Sequence, residues 1–242
     1  MNVTNMITRL KPYGIFIVLI IFSLSLSAQK GGSTLNNPKI SIGVHADPVI
    51  SWFASDIDSV GNDGARAGFN FGITFNYFFG SNYSISTGLN LINAGGRLVN
   101  SNLTTFDVTT GIDPVVPKNT AIEYKIQYLS VPVGLKLQTN QIGYITYFTD
   151  LGFDPKVVMG NKVDIGTLED QKAPGEIKTF NISYHVMAGI EYAIGGNTAV
   201  VIGVCFDNNF ADITKDYEQA PFNQLKDKIS HKMISIRLGV NF

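Results

Sequence analysis

The feature that most constrains the fold is an alternating segment at residues 66–79, which reads RAGFNFGITFNYFF. Up to Asn76, apolar residues at odd positions alternate with glycine, asparagine or threonine at even positions, apart from Arg66 itself. Period two over this length predicts a β-strand with two different faces, because successive side chains leave opposite sides of a sheet. A polar face in bulk water normally carries several charges, whereas this segment carries only Arg66. The pattern therefore predicts a strand with lipid outside and small or polar groups inside.

The composition favours a single β domain. The 242 residues include 24 Gly, 16 Phe and 10 Tyr, and only 15% of the residues are charged. Such a chain can bury a large surface but is poor in the residues that build helices. The formal charge of −1, without a basic cluster, gives no electrostatic basis for binding nucleic acid. Cys205 is the only cysteine, so strand pairing and packing must hold the fold without an internal disulfide.

The N-terminal residues have the order of a secretory signal peptide. Arg9 and Lys11 precede an apolar run at residues 15–26, and small residues follow it at Ser27 and Ala28. This order predicts cleavage after Ala28, giving a signal peptide at residues 1–28 and a linker at residues 29–38. The alternative is a short anchor that stays in the membrane, although the run is shorter than the roughly 20 residues of a spanning helix.

Period-two segments recur through the rest of the chain. Eight strands are predicted, at residues 39–46, 66–79, 83–95, 122–137, 143–153, 179–194, 198–208 and 230–242. The connections between them alternate between long and tight, which is typical of outer-membrane barrels. The predicted fold is therefore all-β, an eight-stranded antiparallel up-and-down transmembrane β-barrel over residues 39–242. An even strand number predicts that both ends of the mature chain lie in the periplasm.

The alternation also assigns each residue to a face of the barrel. Phe69, Phe71 and their apolar counterparts on the other strands are predicted to face lipid. Five aromatic residues near the tight turns are predicted to form a periplasmic girdle at the membrane interface: Tyr77, Phe79, Tyr83, Tyr192 and Phe242. Within residues 122–137 the apolar positions change from even to odd after Tyr128. A bulge near Tyr128, or a strand end that projects above the bilayer, would explain this change.

Three charged residues fall on the predicted inner face: Lys136, Glu191 and Arg237. The interior of an eight-stranded barrel is only wide enough to be filled by side chains. These residues are therefore predicted to form an ion-pair cluster that plugs the lumen, with Glu191 and Arg237 as its central pair. The alternative is a gated ion path or a binding site that uses the same charges, since buried charges must pair in either case.

Catalytic and metal-binding motifs are weak. Residues 56–61, DIDSVG, contain part of a calcium loop, but Val60 replaces one ligand and Ala67 stands where the bidentate Glu should be. The three histidines, His45, His185 and His231, lack the spacing of a zinc site. No nucleophile elbow or phosphate-binding loop is present. The sequence predicts no catalytic residue, no cofactor and no metal, although catalytic groups scattered over strand ends would leave no motif.

Several strand sequences resemble the PorT-like outer-membrane β-barrel family. The resemblance lies in residues 128–136 (YLSVPVGLK), with support from residues 84–90 (SISTGLN), 187–192 (MAGIEY) and 234–242 (ISIRLGVNF). It covers about residues 39–242 and implies an eight-stranded barrel in the outer membrane of a Gram-negative bacterium. The founding member of that family belongs to a type nine secretion system, whereas most of its relatives have no known activity. A link to protein secretion is therefore one role open to this chain, and nothing in the sequence places it in that system.

The predicted function is that of a non-enzymatic integral outer-membrane protein with a structural or interaction role. Its predicted partners are membrane lipid, lipopolysaccharide, another envelope protein, and the barrel assembly machinery, which would read the last strand ending at Phe242. The second hypothesis is a secreted, soluble, lipocalin-like barrel that binds a small apolar ligand. The two hypotheses assign opposite directions to the same apolar residues.

Overall fold

The computed structural model describes residues 39–56, 60–100, 104–105, 115–166, 168–172, 177–210, 212–213 and 229–242. The predicted signal peptide and linker, residues 1–38, lie outside these ranges, as does the centre of the 56–61 segment. No helix within the described ranges is long and apolar enough to cross a membrane.

The described residues form antiparallel sheet. The strands are β1 (Ile40–Ser55), β2 (Val60–Gly80), β3 (Tyr83–Asn100), β4 (Thr104–Thr105), β5 (Val115–Val116), β6 (Ala121–Ser130), β7 (Val133–Gln138), β8 (Ile145–Ile165), β9 (Leu168–Lys172), β10 (Phe180–Gly195), β11 (Thr198–Asn209) and β12 (Ile229–Asn241). β6 and β7 form one wall strand with a short interruption, and both pair with β3 and β8. Short β4 and β5 pair with each other, and β9 pairs with β8.

The sheet closes into a ring of eight wall strands, because β12 pairs with β1 and β8 pairs with β10. Starting at Ile50 and moving from each residue to its paired neighbour on the next strand, the path goes once round the ring. It returns to β1 at Ile40, ten residues before its starting point. The path runs through Ile234, Phe206, Val186, Leu151, Leu135, Ile85 and Tyr77. This stagger tilts the strands, by about 35–45° in typical barrels. The predicted eight-stranded antiparallel barrel is confirmed.

Two ends of the barrel differ in their connections. The tight-turn end carries the links between β2 and β3, β7 and β8, and β10 and β11, together with Phe242. One of these turns requires glycine, since Gly196 has a φ of 57°. The long-loop end carries the other connections. Several strands extend further toward it than predicted: β1 reaches Ser55 instead of residue 46, and β8 reaches Ile165 instead of residue 153.

The interruption between β6 and β7 has a local cause. Pro132 has no N–H to donate to the ladder, and Val131 N–H instead reaches the carbonyl of Pro155 at 3.0 Å. Even-numbered residues face inward on both sides of the interruption, from Ile122 to Lys136. The bulge predicted on this strand near Tyr128 is therefore wrong as an explanation for the change of pattern. A bulge does lie opposite Tyr128, on β8, but β6 keeps its alternation.

What changes along this strand is the chemistry of each face. Outward residues are polar or charged at Glu123, Lys125 and Gln127 and become apolar at Leu129 and below. We call the wall from Gln127 toward the long-loop end the upper section and the wall from Leu129 toward the tight turns the lower section. The alternative prediction, a strand end that projects beyond the bilayer, agrees with this distribution.

The outer wall of the lower section is apolar on all sides. Phe71 is 50% exposed, and exposed large apolar residues occur on every wall strand. On β1 the band runs from Ile40 to Ile50, which corresponds to about 25 Å along the barrel axis at a tilt near 40°. Outer-membrane barrels have apolar bands of about this height. A lipocalin-like barrel needs these residues inside, so the structure does not favour that alternative.

The upper section is filled by an apolar cluster, which we call the upper core. It consists of Val49, Phe53, Val60, Ile92, Ala94, Leu98, Ile122, Tyr124, Ile126, Tyr128, Val163, Ile165, Ile177, Ile213, Ile229 and Met233. Phe53 packs edge-on against Tyr124, with ring centroids 5.6 Å apart. The upper core explains the extra strand length, because these inward apolar residues need continuous wall around them.

Candidate functional site

The lumen of the lower section is lined by buried polar side chains. The charged members are Asp47, Lys136, Asp150, Asp154, Lys156 and Asp207, with Glu191 and Arg237 partly buried, and His45 and His185 lie among them. They come from six wall strands, and each occupies an inward position of the alternation. We call this set the lower lumen network. Each member needs a partner, because an unpaired charge inside a protein is strongly destabilising.

Lys136 and Glu191 meet near the tight-turn end. The ammonium of Lys136 donates directly to Oε1 of Glu191, and the same oxygen accepts a hydrogen bond from Asn241 Nδ2 at 2.8 Å. Lys136 also lies over the ring of Phe148, 4.7 Å from its centroid. Lys136 and Glu191, predicted from sequence to share the lumen, are thus in direct contact.

Arg237 has a different partner from the one predicted. Its Nε donates to Oδ2 of Asp47 at 3.0 Å, whereas the sequence predicted Glu191 as its central partner. Asp47 also accepts from Asn70 Nδ2 at 3.1 Å and from the backbone N–H of Leu238 at 3.1 Å. Asp47 was missed because residues 47–65 were predicted to be a loop. The odd-position run of β1 continues through it, so a longer period-two reading would have found it.

Two histidines lie against glycines in the middle of the lumen. His185 Nδ1 is 3.0 Å from Asp154 Oδ2, and its Nε2 is 3.5 Å from Asp150 Oδ1. A Cβ on Gly152 would lie 2.7 Å from His185 Cε1. The absence of a side chain at this position therefore creates the space that the imidazole occupies.

His45 occupies a similar place on the other side. Its Nδ1 lies 2.9 Å from Asp47 Oδ2, an ion-pair distance without hydrogen-bond alignment, and its Nε2 is 3.2 Å from Asn90 Oδ1. A Cβ on Gly72 would lie 2.5 Å from His45 Nε2. The described lower lumen network holds five carboxylates against three Lys or Arg side chains.

A third charge group lies just below the upper core. Lys156 is only 1% exposed, and its ammonium donates to both carboxylate oxygens of Asp207 at 2.7 Å. Ser183 Oγ donates to Asp207 Oδ2 at 2.8 Å. Above this group, Tyr128 and His231 share a hydrogen bond of 3.1 Å between Oη and Nδ1. Sequence reasoning missed Lys156 because residues 154–178 were predicted to be a loop.

The outer wall carries aromatic residues at the tight-turn end. All five predicted girdle residues, Tyr77, Phe79, Tyr83, Tyr192 and Phe242, are exposed there. Phe79 and Tyr83 stack with centroids 6.2 Å apart. Tyr144 and Tyr147, which the prediction left out, are exposed at the same end, and Tyr144 lies 5.9 Å from Tyr192.

The outer wall of the upper section carries ion pairs instead. Arg66 and Arg97 both donate to Glu123, at 3.1 and 3.0 Å. Lys125 lies 2.6 Å from Asp164 and 3.1 Å from Asp170. The hydrogen bond to Asp164 raises the pKa of Lys125, and the hydrogen bond from Lys125 lowers the pKa of Asp170. These charges require water, so the upper section lies outside the hydrocarbon region.

The described residues contain no group of three or more His, Cys, Asp or Glu side chains arranged to hold a metal ion. The calcium-like segment at residues 56–61 falls partly outside the described residues, so its geometry is not described. The contacts of the lower lumen network pair Lys136 with Glu191, Lys156 with Asp207 and Arg237 with Asp47.

The family model for the outer membrane protein beta-barrel domain matches residues 28–226 of this chain. No protein with a curated description matches the chain. Among solved structures, the chain is similar to Neisserial surface protein A, with 13% identity, 83% of this chain and 95% of that chain covered, and a TM-score of 0.43. It is also similar to OprG from Pseudomonas aeruginosa, with 12% identity, 84% of this chain and 95% of that chain covered, and a TM-score of 0.43. For the outer membrane protease OmpT from Escherichia coli, the identity is 10%, 89% of this chain and 99% of that chain are covered, and the TM-score is 0.45. Because the family model matches most of its length, the chain belongs to the outer membrane protein beta-barrel family.

Proposed function

We propose that this protein is a sealed, non-enzymatic barrel of the outer membrane with a structural or interaction role in the cell envelope. Both chain ends would face the periplasm, and the long loops would face the outside. The observation that carries the proposal is the filling of the barrel along its whole described length, by the lower lumen network below and the upper core above.

The space left in the lower lumen is small. One cavity, lined by residues such as Asn70, Asp150 and His185, has a volume of about 60 Å³, and a second, beside Lys136 and Asn76, has about 20 Å³. Such volumes hold only a few water molecules. A diffusing solute would have to displace paired charges, and this cost supports a sealed interior.

The long-loop connections also contribute to closure. Ile177 and Ile213 are buried in the upper core although both lie outside the wall strands. Ile213 N–H donates to Ile229 O at 3.0 Å, and Lys178 N–H donates to Ile213 O at 2.8 Å. The side chains of Lys178 and Asp212 also form an ion pair, with 2.6 Å between Nζ and Oδ2. The described parts of these two connections are thus bonded to each other and to the start of β12, and they bury Ile177 and Ile213 in the upper core.

The proposed partners follow from the outer surface. Membrane lipid would contact the apolar band, and lipopolysaccharide would surround the long-loop end. Phe242 follows β12 and is exposed, and its N–H donates to Ile42 O at 2.8 Å; the barrel assembly machinery would recognise β12 together with this aromatic residue. The long loops could contact another envelope protein. The narrower predictions of PorT-like membership and a link to type nine secretion remain predictions.

Conductance and topology test this proposal. In planar bilayers, the purified protein should show no steady open-channel current; a stable channel in the unmodified barrel would contradict the sealed lumen.

In a Cys205→Ser background, Lys118→Cys should react with an impermeant maleimide on intact cells. Gln141→Cys, in the tight turn between β7 and β8, should react only after the outer membrane is permeabilised. The reverse labelling would overturn the orientation.

A further inference from the structure

Four outward residues form a continuous row across the wall near the boundary between the two sections. Trp52 on β1 pairs with Lys232 on β12, Lys232 pairs with Asn208 on β11, and Asn208 pairs with Tyr184 on β10. The residues on either side of each one, in its own strand, are inward and buried. All four side chains therefore lie next to one another on the lipid side of the wall.

Lys232 differs from the other cations of the wall. Among the described residues, every other Lys or Arg of the eight wall strands has a carboxylate within 4 Å. Lys232 has no such partner in the described part of the chain, and no residue of the row is acidic. A cation left without a counter-ion at a membrane surface is available for an anion from the lipid.

The rest of the row adds hydrogen-bond donors. Tyr184 Oη accepts a hydrogen bond from Asn208 Nδ2 at 3.1 Å, so its own proton remains available to an outside acceptor. The indole N–H of Trp52 has no acceptor within the described ranges. The row thus offers an ammonium, an indole N–H and a phenol O–H on one surface, and these groups together suit a ligand that only accepts hydrogen bonds.

The Trp52 end of the row lies just above the apolar band, and the row descends toward Tyr184 because each step from β1 to β10 follows the stagger of the ring. Ile50 and Ile234 are the next outward residues below Trp52 and Lys232 on their strands, and both are exposed members of the apolar band. Tyr184 packs against Phe210, with centroids 5.1 Å apart. Trp and Tyr favour this interfacial level, and a Lys there can extend its ammonium toward the headgroups.

We propose that Trp52, Lys232 and Tyr184 form a binding site for a phosphate group of lipid A on the outer wall of the barrel. The choice of lipid A rests on the orientation given under Proposed function, which places the long-loop end in the outer leaflet. The phosphate accepts from the Lys232 ammonium and from the neighbouring N–H and O–H donors. The acyl chains of the same lipid lie on the apolar band below.

Native mass spectrometry of the full barrel in detergent tests the site, with diphosphorylated lipid A as the probe. Lys232→Gln should weaken binding about five- to tenfold, as expected for the loss of one charge-assisted contact. Trp52→Phe, which keeps the ring and removes the N–H, should weaken it about two- to threefold. The matched control is Lys162→Gln, which removes an outward cation on β8 that already pairs with Asp170 at 3.5 Å and should leave binding unchanged.

Two lipid controls identify the headgroup. Dephosphorylated lipid A should bind wild type and Lys232→Gln equally, and phosphatidylglycerol should bind wild type more weakly than lipid A does. Equal binding of diphosphorylated lipid A by wild type and Lys232→Gln would overturn the site, and tighter binding of phosphatidylglycerol would overturn the assignment to lipid A. Binding in detergent does not depend on membrane orientation, so reversed cysteine labelling would contradict the proposed orientation separately.

Discussion

The lower and upper sections of this barrel have opposite chemistry on the same continuous strands. In the lower section the outer wall is apolar and the lumen holds buried ion pairs, whereas in the upper section the outer wall carries ion pairs and the interior is the apolar upper core. β6 and β7 keep one alternation through both sections. On this wall strand the difference therefore lies in residue type and not in backbone geometry.

This inversion follows from the medium on the outside. Where lipid surrounds the wall, outward charges are expensive and outward apolar residues cost nothing. The polar residues then face the lumen, where they must pair with one another. Where water surrounds the wall, the barrel folds like a soluble protein and gains stability by burying apolar residues. The exchange between Gln127 and Leu129 thus marks the membrane boundary on this strand.

The largest expected effect comes from a charge placed in the upper core. Ile126→Asp would bury an unpaired carboxylate at a position that is 2% exposed, and it should lower the free energy of unfolding by about 4 kcal/mol or more. Gln127→Asp, on the neighbouring outward position, should change it by less than about 0.5 kcal/mol. Urea unfolding in detergent micelles measures both. Similar losses of unfolding free energy for the two variants would mean that inward and outward positions of the upper section do not differ in burial.

Breaking an ion pair in the lower lumen network should have the next largest effect. Glu191→Leu leaves the Lys136 ammonium without its carboxylate and should cost about 3–5 kcal/mol. Adding Lys136→Met should recover part of this loss, whereas Arg237→Leu should combine additively with Glu191→Leu within about 0.5 kcal/mol, because Arg237 pairs with Asp47. Strong coupling between Glu191 and Arg237 in a double-mutant cycle would contradict the observed pairing.

A charge on the lipid side should cost somewhat less. Phe71→Arg, in the middle of the apolar band, should lower stability by about 2–4 kcal/mol. Val99→Arg places the same charge on an outward position of the upper section and should cost less than about 0.5 kcal/mol. The midpoint of folding into lipid vesicles reports the difference. If Val99→Arg were as damaging as Phe71→Arg, the upper wall would also face lipid.

The smallest predicted effect concerns the space around His185. Gly152→Ala would place a Cβ 2.6 Å from Gly134 Cα and 2.7 Å from His185 Cε1, and the resulting overpacking should cost about 1–3 kcal/mol. Gly61→Ala is the control, because no heavy atom lies within 4 Å of its added Cβ. Thermal unfolding followed by circular dichroism compares the two. An unchanged midpoint for Gly152→Ala would show that the lumen is looser than described.

The sequence predicted the lower section well and the upper section poorly, for a physical reason. Residues 66–79 show both faces of a lipid-exposed strand directly, so the strand number, closure and outward faces follow from alternation. Residues 154–165 alternate too, but the bulge after Val158 shifts the phase. The polar residues Asp154, Lys156 and Asp164, together with Pro155, suggested a loop. The upper core was missed because its strands resemble those of a soluble barrel.

The candidate site was predictable in part. Lys136, Glu191 and Arg237 could be placed inside from their phase alone. Their pairing could not, because it depends on the stagger between strands far apart in sequence. Asp47 and Arg237, for example, lie 190 residues apart and meet only when the ring closes between β1 and β12.

The most direct test of the inversion measures the depth of outward positions along β6 and β7. In a Cys205→Ser background, single cysteines at Glu123, Gln127, Val131 and Leu135 would carry a fluorescent label in bilayers containing either brominated lipid or a water-soluble quencher. We predict that the labels at 123 and 127 are quenched from water and those at 131 and 135 from lipid, with the change between 127 and 131. Quenching from lipid at all four sites, or from water at 131 and 135, would contradict a membrane boundary at this level of the barrel.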